Sequence, residues 1–223
     1  MTSLSLLQLV SPTLPVGAFS YSEGFEVLVH VGIIKDESDV QDWLEAELKC
    51  GALRIEAALL SQFRIYIKDW IEYSDSFARD RLIDLDGWLL ATREASEMRA
   101  QHRQMGSSLL KLLIEMDHSL PEPIQLSWPA AWSWAATSLN VSEYEMVEGY
   151  LYSWVANQLS ASVRLIPLGS TSAQVVQQNL LPLISAQAQY LCKTEAIDLW
   201  SGAVGASLAQ LSHSELYSRL FRS

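Results

Sequence analysis

Helical periodicity runs through almost the whole chain and constrains its fold more than any other feature. From Trp88 to Met116 the apolar residues recur in steps of three and four, which is the spacing of the buried face of a helix. No alternating apolar and polar run is bounded by the Asn-Gly or Asp-Gly pairs that mark β-hairpins. The pattern predicts an all-α fold, with residues 1–223 forming a single compact domain of roughly seven to ten helices.

Capping and breaker residues predict where the first helices begin and end. Ser20 and Glu23 match the S-x-x-E capping box, so a helix is expected to start there and to stop at Gly32. A second apolar face extends over residues 38–63, with Gly51 as a weak point inside it. These signals predict two helices before residue 64.

The remaining segments follow from the same signals. Residues 69–83 are polar and poorly periodic, which predicts a connector, whereas residues 88–116 are expected to form one long helix. Ser127 is expected to cap a short helix that ends at Asn140. The segment Ser142 to Glu145 is another capping box, and the last helical third begins at Ser170.

Charge and cysteine content exclude several classes of protein. The formal net charge is −11 at pH 7, whereas nucleic acid or an anionic membrane surface requires a cationic face. Cys50 and Cys192 are the two cysteines, without a C-x-x-C motif, so neither a disulfide framework nor a structural zinc site is indicated. With no apolar span of about 20 residues and no signal-peptide pattern, we expect a soluble, cytoplasmic protein.

The sequence contains no motif for catalysis, a metal or a cofactor. The segment GAFSYSEG lacks the lysine and the preceding strand of a phosphate-binding loop. The histidines His30, His102, His118 and His213 form no H-E-x-x-H face, and no G-x-S-x-G elbow is present. His102 lies on an apolar helix face, where a core imidazole is a more common role than a ligand. We therefore predict no catalytic residue, no metal site and no cofactor.

Both ends of the chain have a composition that is unusual for a helical protein. Near the start, LVSPTLPVGAFSYSEGFE is too rich in proline and glycine for a helix, and it is either a connector or a docking surface. At the other end, SHSELYSRLFRS combines aromatic and guanidinium groups, which anchor many protein interfaces. A frayed last turn of helix is the alternative for this second segment.

Four blocks of sequence resemble the UreF family of urease accessory proteins. They are LLQLVSPTLPVGAFSYSEGFE, WLLATREASEMRAQHRQMGSSLLKL, RLIPLG and HSELYSRLFRS, and they occur in the order of the family. The resemblance implies an all-helical, non-catalytic protein. It also implies a complex with the UreD (UreH) accessory protein and the GTPase UreG that delivers nickel to apo-urease, and it implies a homodimer.

The resemblance also suggests site residues. The opening segment and the C-terminal segment of the family belong to partner-binding regions, which carries over here to Phe19, Tyr21, Glu23, Tyr217, Arg219, Phe221 and Arg222. The helix with Tyr150 and Tyr152 resembles the self-association element of the family. The chain departs from the family pattern at Ser170 and Ala173–Gln174, and in WSGAVGASLAQ ahead of the C-terminal segment.

The proline-rich opening suggests how such a surface would be built. Pro12 and Pro15 restrict the backbone and Gly17 permits a sharp bend, which would fix the segment at low entropic cost and present Phe19 and Tyr21. A preorganised loop loses less of its interaction energy to ordering on binding. We expect it to act in a scaffold that binds two conformations of its partner with different affinity.

Two other functions compete with the scaffold. Arg93, Arg99 or Arg103 could act as an arginine finger that stimulates GTP hydrolysis by UreG. Alternatively, the chain could be an unrelated all-α enzyme with a pocket between its helices. A deep pocket lined by strongly perturbed titratable groups would favour the enzyme.

Overall fold

Helices make up most of the computed structural model, which describes residues 4–223. Ten α-helices and no strand occur in that range, so the predicted all-α class and number of helices are confirmed. The helices are α1 Leu4–Leu9, α2 Phe25–His30, α3 Glu37–Cys50, α4 Leu53–Tyr73, α5 Ser76–Ala91, α6 Ser96–Glu115, α7 Trp128–Ser138, α8 Glu143–Leu165, α9 Ser170–Leu191 and α10 Val204–Ser212. Short 3-10 turns occur at Ala18–Ser20, Ala196–Asp198 and His213–Glu215.

Local capping rules account for several helix starts. The predicted box at α8 is present, with the Ser142 Oγ accepting from the Glu145 backbone N–H at 3.3 Å and the Glu145 side chain accepting from the Ser142 N–H. Ser127 occupies the predicted position before α7, but its hydroxyl donates to Asp86 and makes no capping hydrogen bond. The cap of α3 is Asp36, whose carboxylate accepts from the Asp39 N–H at 3.1 Å, so this helix begins slightly before the predicted position.

The capping box predicted at Ser20 and Glu23 is wrong. The helix α2 follows Gly24, which has φ 86° and provides no side-chain cap, and Glu23 itself has φ 54°. A Cβ at position 24 would lie 2.8 Å from the Gln210 backbone nitrogen, so the close approach of α10 also requires glycine there. The Glu23 carboxylate turns into the protein instead of capping the helix.

Three predicted boundaries also need correction. The face over 38–63 belongs to two helices that separate at Gly51, and the predicted helix over 88–116 is interrupted between Ala91 and Ser96. The predicted connector at 69–83 is largely helical, because Ser74 takes a left-handed φ of 54° and only two residues separate α4 from α5. Periodicity continued across these breaks because each pair of neighbouring helices buries apolar residues against the same core.

The core lies around α4, α7 and α8. Phe63 of α4, Trp132 of α7 and Val147 of α8 are fully buried there, and the Trp132 indole N–H donates to the Met146 carbonyl at 3.0 Å. Helices α5 and α6 cover one side of this layer, and α9 covers α8 and α3 on the other. Gly106 lets α6 approach the backbone just before α7 closely, since a Cβ at position 106 would lie 2.2 Å from the Leu126 carbonyl oxygen.

The end of the chain returns to its beginning. After α9 the chain runs back to α10, which packs against α2 and α6. None of the helices described between residues 4 and 223 is both long and apolar enough to cross a lipid bilayer. The arrangement brings residues 213–223, here called the tail, beside residues 10–24, here called the opening loop.

Candidate functional site

The tail pairs with the opening loop through backbone hydrogen bonds. The backbone oxygen of Ser223 accepts from the N–H groups of Ser22 at 2.9 Å and Glu23 at 3.0 Å, and from the Ser22 hydroxyl at 2.7 Å. In the same stretch the Arg222 N–H donates to the Ser20 carbonyl at 2.8 Å. These bonds join segments about 200 residues apart in the sequence, so the two unusual ends form one surface.

Arg164 of α8 fixes the same pair of segments from outside. Its guanidinium lies over the Phe221 ring at 4.5 Å from the centroid, and its Nη1 donates to the Phe19 carbonyl at 3.1 Å. Phe221 is only 4% exposed beneath it, whereas the Phe19 side chain is 68% exposed. The opening loop therefore presents Phe19 outward while the tail uses Phe221 as an internal anchor.

A cluster of four ionisable side chains holds the tail against α2 and α6. It consists of Glu26, Glu97, His213 and Arg219, and we call it the tail cluster. The His213 ring is fully buried, with Nδ1 at 2.8 Å from Glu97 and Nε2 at 3.2 Å from Glu26. Arg219 pairs with the other oxygen of Glu97 at 2.7 Å. Glu26 also accepts from the backbone N–H groups of Leu220 at 2.7 Å and Phe221 at 3.1 Å.

Glu23 links the opening loop to the interior. Its carboxylate accepts from the Gln101 amide at 2.6 Å and from the Trp154 indole N–H at 2.8 Å. Burial raises the pKa of Glu23, and the nearby Glu56 carboxylate raises it further, while the two hydrogen bonds act in the opposite direction. This carboxylate borders a cavity of about 30 Å³, which is large enough for water.

Behind that cavity lies a second charged group centred on Glu56. Arg93 forms a buried ion pair with Glu56, and the Tyr150 hydroxyl donates to the same carboxylate. Burial alone would raise the pKa of Glu56, but the charge of Arg93 together with that of His102 lowers it to about 2. His102 Nε2 lies 3.4 Å from Glu56, although neither ring nitrogen makes a well-formed hydrogen bond within residues 4–223.

Glu47 of α3 is the unmatched acid of this region. Its side chain is buried and has no hydrogen-bond partner among the described residues. Burial raises its pKa to about 7, with repulsion from Glu23 and Glu56 adding to the effect and Arg93 opposing it. The group around Glu56 therefore contains three carboxylates, those of Glu23, Glu47 and Glu56, for one arginine, and Glu47 is the one that receives no direct partner among the described residues.

Two exposed apolar features lie beside the joined ends. The first is a groove of about 500 Å³ between the opening loop and the helices α8 and α9, with a lining that includes Leu14, Phe19, Tyr152, Val163, Arg164 and Gln174. The second is the outer face of α10 with the residues before it, here called the α10 stripe: Ile197, Trp200, Val204, Leu208 and Leu211. Large exposed apolar areas of this kind are typical of protein-binding surfaces.

The predicted partner-binding residues fall into two groups. Phe19, Tyr217 and Arg222 are exposed, and Arg219 is partly exposed beside Glu97. Tyr21, Glu23 and Phe221 face inward, where they hold the opening loop and the tail in place. The structure brings all seven to one region, and their role in binding stays a prediction.

The predicted self-association residues differ in exposure. Tyr150 is buried and donates to Glu56, so its side chain belongs to the interior of this chain. Tyr152 is half-buried and lines the groove beside the opening loop. Of the two, only Tyr152 offers side-chain surface to a second copy, and self-association stays a prediction.

The three arginine-finger candidates differ in their exposure and in their partners. Arg93 lies between α5 and α6, where it is buried and forms an ion pair with Glu56 of its own chain. Arg99 donates to the carbonyls of Arg93 and Glu94. Arg103 is exposed and makes no ion pair with another residue in the described part of the chain.

Sequence reasoning missed Glu26, Gln101 and Arg164, which connect the opening loop and the tail to the helices. Glu26 and Gln101 are buried, and a polar residue in a helix does not reveal from sequence which distant group it bonds. The signal that was available is the placement of Glu26 two residues after the glycine of YSEGFE, as the only charged carboxylate in the short apolar segment FEVLV.

The grouping of potential metal ligands was compared with what a metal site requires. Across residues 4–223 no three His, Cys, Asp or Glu side chains are grouped so that they could hold a metal ion. In the tail cluster the two carboxylates lie on opposite nitrogens of the His213 ring, which is the geometry of a bridge and not of a shared ligand site.

Comparison with known proteins gives a consistent result. The UreF family model matches residues 34–181. A urease accessory protein UreF from Prochlorococcus marinus strain MIT 9215 is 41% identical over 218 residues, covering 96% of this chain and 95% of the relative. The UreF proteins of Microcystis aeruginosa and Thermosynechococcus vestitus are 43% and 37% identical, and each alignment covers 99% of this chain and 97% of the relative.

Proposed function

The chain belongs to the UreF family of urease accessory proteins, and we propose that it is a non-catalytic scaffold for urease maturation in the cytoplasm. In this proposal it bridges the UreD (UreH) accessory protein and the GTPase UreG while nickel is inserted into apo-urease at the expense of GTP. Nickel is the cargo of the complex and not a resident cofactor of this chain. The family membership also overturns the alternative of an unrelated all-α enzyme.

The observation that carries the proposal is the meeting of the opening loop and the tail. Backbone bonds to Ser223, the Arg164 guanidinium and the tail cluster order both segments, and these segments carry the exposed aromatic groups. Phe19 and Tyr217 are the aromatic side chains that this surface presents. Rigid aromatic groups are the usual centres of protein interfaces, because they bury much area at little entropic cost.

A bridging role requires a second binding surface. The α10 stripe and the groove beside α8 are both apolar and open, and they provide contact area beyond the opening loop and the tail. In the proposed mechanism this chain binds one nucleotide state of UreG more tightly than the other, so that GTP hydrolysis is coupled to release of nickel. The coupling depends on differential affinity and requires no catalytic group here.

Reconstitution of the complex tests the proposal directly. Purified chain, UreD and UreG are expected to co-elute, with UreD and UreG associating measurably more weakly when the chain is omitted. Light scattering of the isolated chain is expected to give a mass near twice 24.9 kDa, as proposed for a homodimer. Co-elution of UreD with UreG that is unchanged without this chain would contradict the bridge.

Removal of the two exposed aromatic groups is expected to weaken partner binding strongly. The double variant Phe19→Ala, Tyr217→Ala should lose about 2 kcal/mol or more of binding free energy, roughly thirtyfold in Kd, because interface aromatics dominate affinity. Calorimetric titration with UreD and with UreG measures the effect. Tyr73→Ala, which removes an exposed tyrosine at the end of α4, is the matched control and should leave both affinities unchanged.

The arginine-finger alternative predicts a different variant effect. Of its three candidates, Arg103 is the one whose guanidinium is exposed and unpaired within residues 4–223. We expect Arg103→Ala to leave GTP hydrolysis by UreG in the complex within about twofold of wild type, whereas loss of a finger costs about a thousandfold or more. A large decrease in turnover with intact binding would favour the alternative.

A further inference from the structure

The His213 ring occupies a position that a neutral histidine cannot satisfy. Both ring nitrogens face carboxylate oxygens, Nδ1 at 2.8 Å from Glu97 Oε2 and Nε2 at 3.2 Å from Glu26 Oε2, and the ring is fully buried. Neutral imidazole has one N–H donor and one lone-pair acceptor. One of the two contacts would then place lone pairs of nitrogen and oxygen against each other without water between them.

One additional proton removes this conflict, and the neighbouring groups indicate where it resides. Glu97 pairs with Arg219 at 2.7 Å, and Glu26 accepts backbone N–H groups from Leu220 and Phe221, so both carboxylates receive only donors. Cationic and N–H donors stabilise the ionised form of a carboxyl group. The proton therefore belongs on His213, whose imidazolium donates to both carboxylates.

The charges around the ring balance only in that state. The ring is faced by Glu26 from α2, by Glu97 from α6 and, through Glu97, by Arg219 from the tail, while α10 contains no charged residue. Two carboxylates, one guanidinium and one imidazolium sum to zero. Without the second ring proton, the cluster keeps one uncompensated negative charge beside the buried His213 ring and the buried Glu26 carboxylate, where water cannot solvate it fully.

We propose that His213, as an imidazolium between Glu26 and Glu97, is the positioning residue that holds the tail on the opening loop. Loss of its second proton releases residues 219–223. The Glu26 carboxylate, which anchors the Leu220 and Phe221 N–H groups, then faces a lone pair of the His213 ring and is repelled by it. Release exposes Phe221 and frees the Ser22 and Glu23 N–H groups. The surface offered to partners thereby depends on one proton.

The use of the ordered tail in partner binding rests on the proposed function. Docking of the tail on the opening loop can be measured in the isolated chain. Ring ¹⁵N chemical shifts of His213 report how many ring nitrogens carry protons, and amide exchange of Leu220, Phe221 and Arg222 reports docking. Both are recorded from about pH 5.5 to about pH 9, a range that spans histidine ionisation. We expect protection of the three amides to disappear over the same pH interval in which His213 loses its second proton.

Two variants separate this role from a merely structural one. Gln at position 213 can donate a hydrogen bond but cannot carry charge, so His213→Gln should reduce amide protection in the tail by about tenfold or more at every pH and abolish the pH step. In Glu97→Gln the amide nitrogen can donate to Nδ1 while the amide oxygen still accepts from Arg219, so a neutral ring is satisfied. Glu97→Gln should therefore keep the tail docked and remove its pH dependence.

His118→Gln is the matched control, because His118 bonds to the other residues of 4–223 only through its backbone, and it should preserve the pH step. Core amides of α8 in the same spectra show whether each variant is folded.

A tail that stays protected while His213 is neutral, or wild-type protection in His213→Gln, would overturn the inference. If His213→Gln does not fold, Glu97→Gln decides alone. A pH step that persists in Glu97→Gln contradicts the proposed role of the His213 imidazolium. If the pH step is present but the chain fails to bind UreD or UreG, the result counts against the proposed function and not against the role of His213.

Discussion

Replacing Arg93 with methionine is expected to lower the free energy of unfolding by about 3–5 kcal/mol, the usual cost of removing one partner from a buried ion pair. The Arg93 guanidinium pairs with Glu56 in the interior and also donates to the Ala52 carbonyl at 3.2 Å. Without it, Glu56 remains buried close to two other carboxylates, Glu23 and Glu47. Urea denaturation at pH 7 measures the change.

The urea measurement is made at pH 7 because Glu56 is ionised there and its ion pair with Arg93 contributes fully to stability. Its pKa of about 2 in the folded chain lies below the ordinary value of 4.5, so the pair stabilises the fold fully above pH 4.5 and loses its contribution as the pH falls through about 2. The double variant Glu56→Leu, Arg93→Met should cost less than Arg93→Met alone, because no buried charge is left unpaired. A single variant that costs less than about 1 kcal/mol would show that the pair is not closed in solution.

Replacing Glu47 with glutamine is expected to stabilise the protein above neutral pH. The pKa of Glu47 is about 7 in the folded chain, against an ordinary value of 4.5. The folded state therefore binds more protons than the unfolded state between these values, and stability falls as the pH rises through that interval. At about 1.36 kcal/mol per pH unit, the full difference is of the order of 3 kcal/mol above pH 7.

Glutamine resembles the protonated acid, so the advantage of Glu47→Gln should be absent near pH 4.5, grow through pH 7 and remain constant above it. Unfolding free energies measured in urea at about pH 5 and about pH 8.5 distinguish these limits. Glu45→Gln on the same helix is the control, because Glu45 is partly exposed and pairs with the exposed Lys49 at 2.7 Å, and it should change stability by less than about 0.5 kcal/mol. An equal effect of Glu47→Gln at both pH values would rule out burial of the charge as its cause.

Glu23, Glu56 and the tail cluster form a polar framework behind the proposed binding surface. Glu23 extends from the opening loop towards Glu56, and Glu26 extends from α2 to the tail. The proposed binding surface is therefore supported from behind by buried charged groups and not only by apolar packing. Substitutions in that framework are expected to disturb the opening loop and the tail without removing a contact residue.

Helix starts and the fold class could be predicted because their causes are local. The hydroxyl and carboxylate of a capping box act within three residues, which is why the box at Ser142 was predicted correctly. At Ser20 the same pattern misled, because the Glu23 carboxylate bonds to Gln101 and Trp154, which lie far away in the sequence. A local rule fails where a distant partner competes for the same side chain.

By itself the sequence determined an all-α chain, the family to which it belongs, and the two unusual ends, because periodicity, composition and motifs are written along the chain. Only the tertiary structure decided that these ends meet, that Phe221 and Tyr21 turn inward, and that Arg93 is an internal counter-ion. The physical reason is that burial and pairing depend on which residues folding brings within a few ångströms of each other. His213 lies 116 positions from Glu97 and 187 from Glu26, and no spacing rule connects residues so far apart.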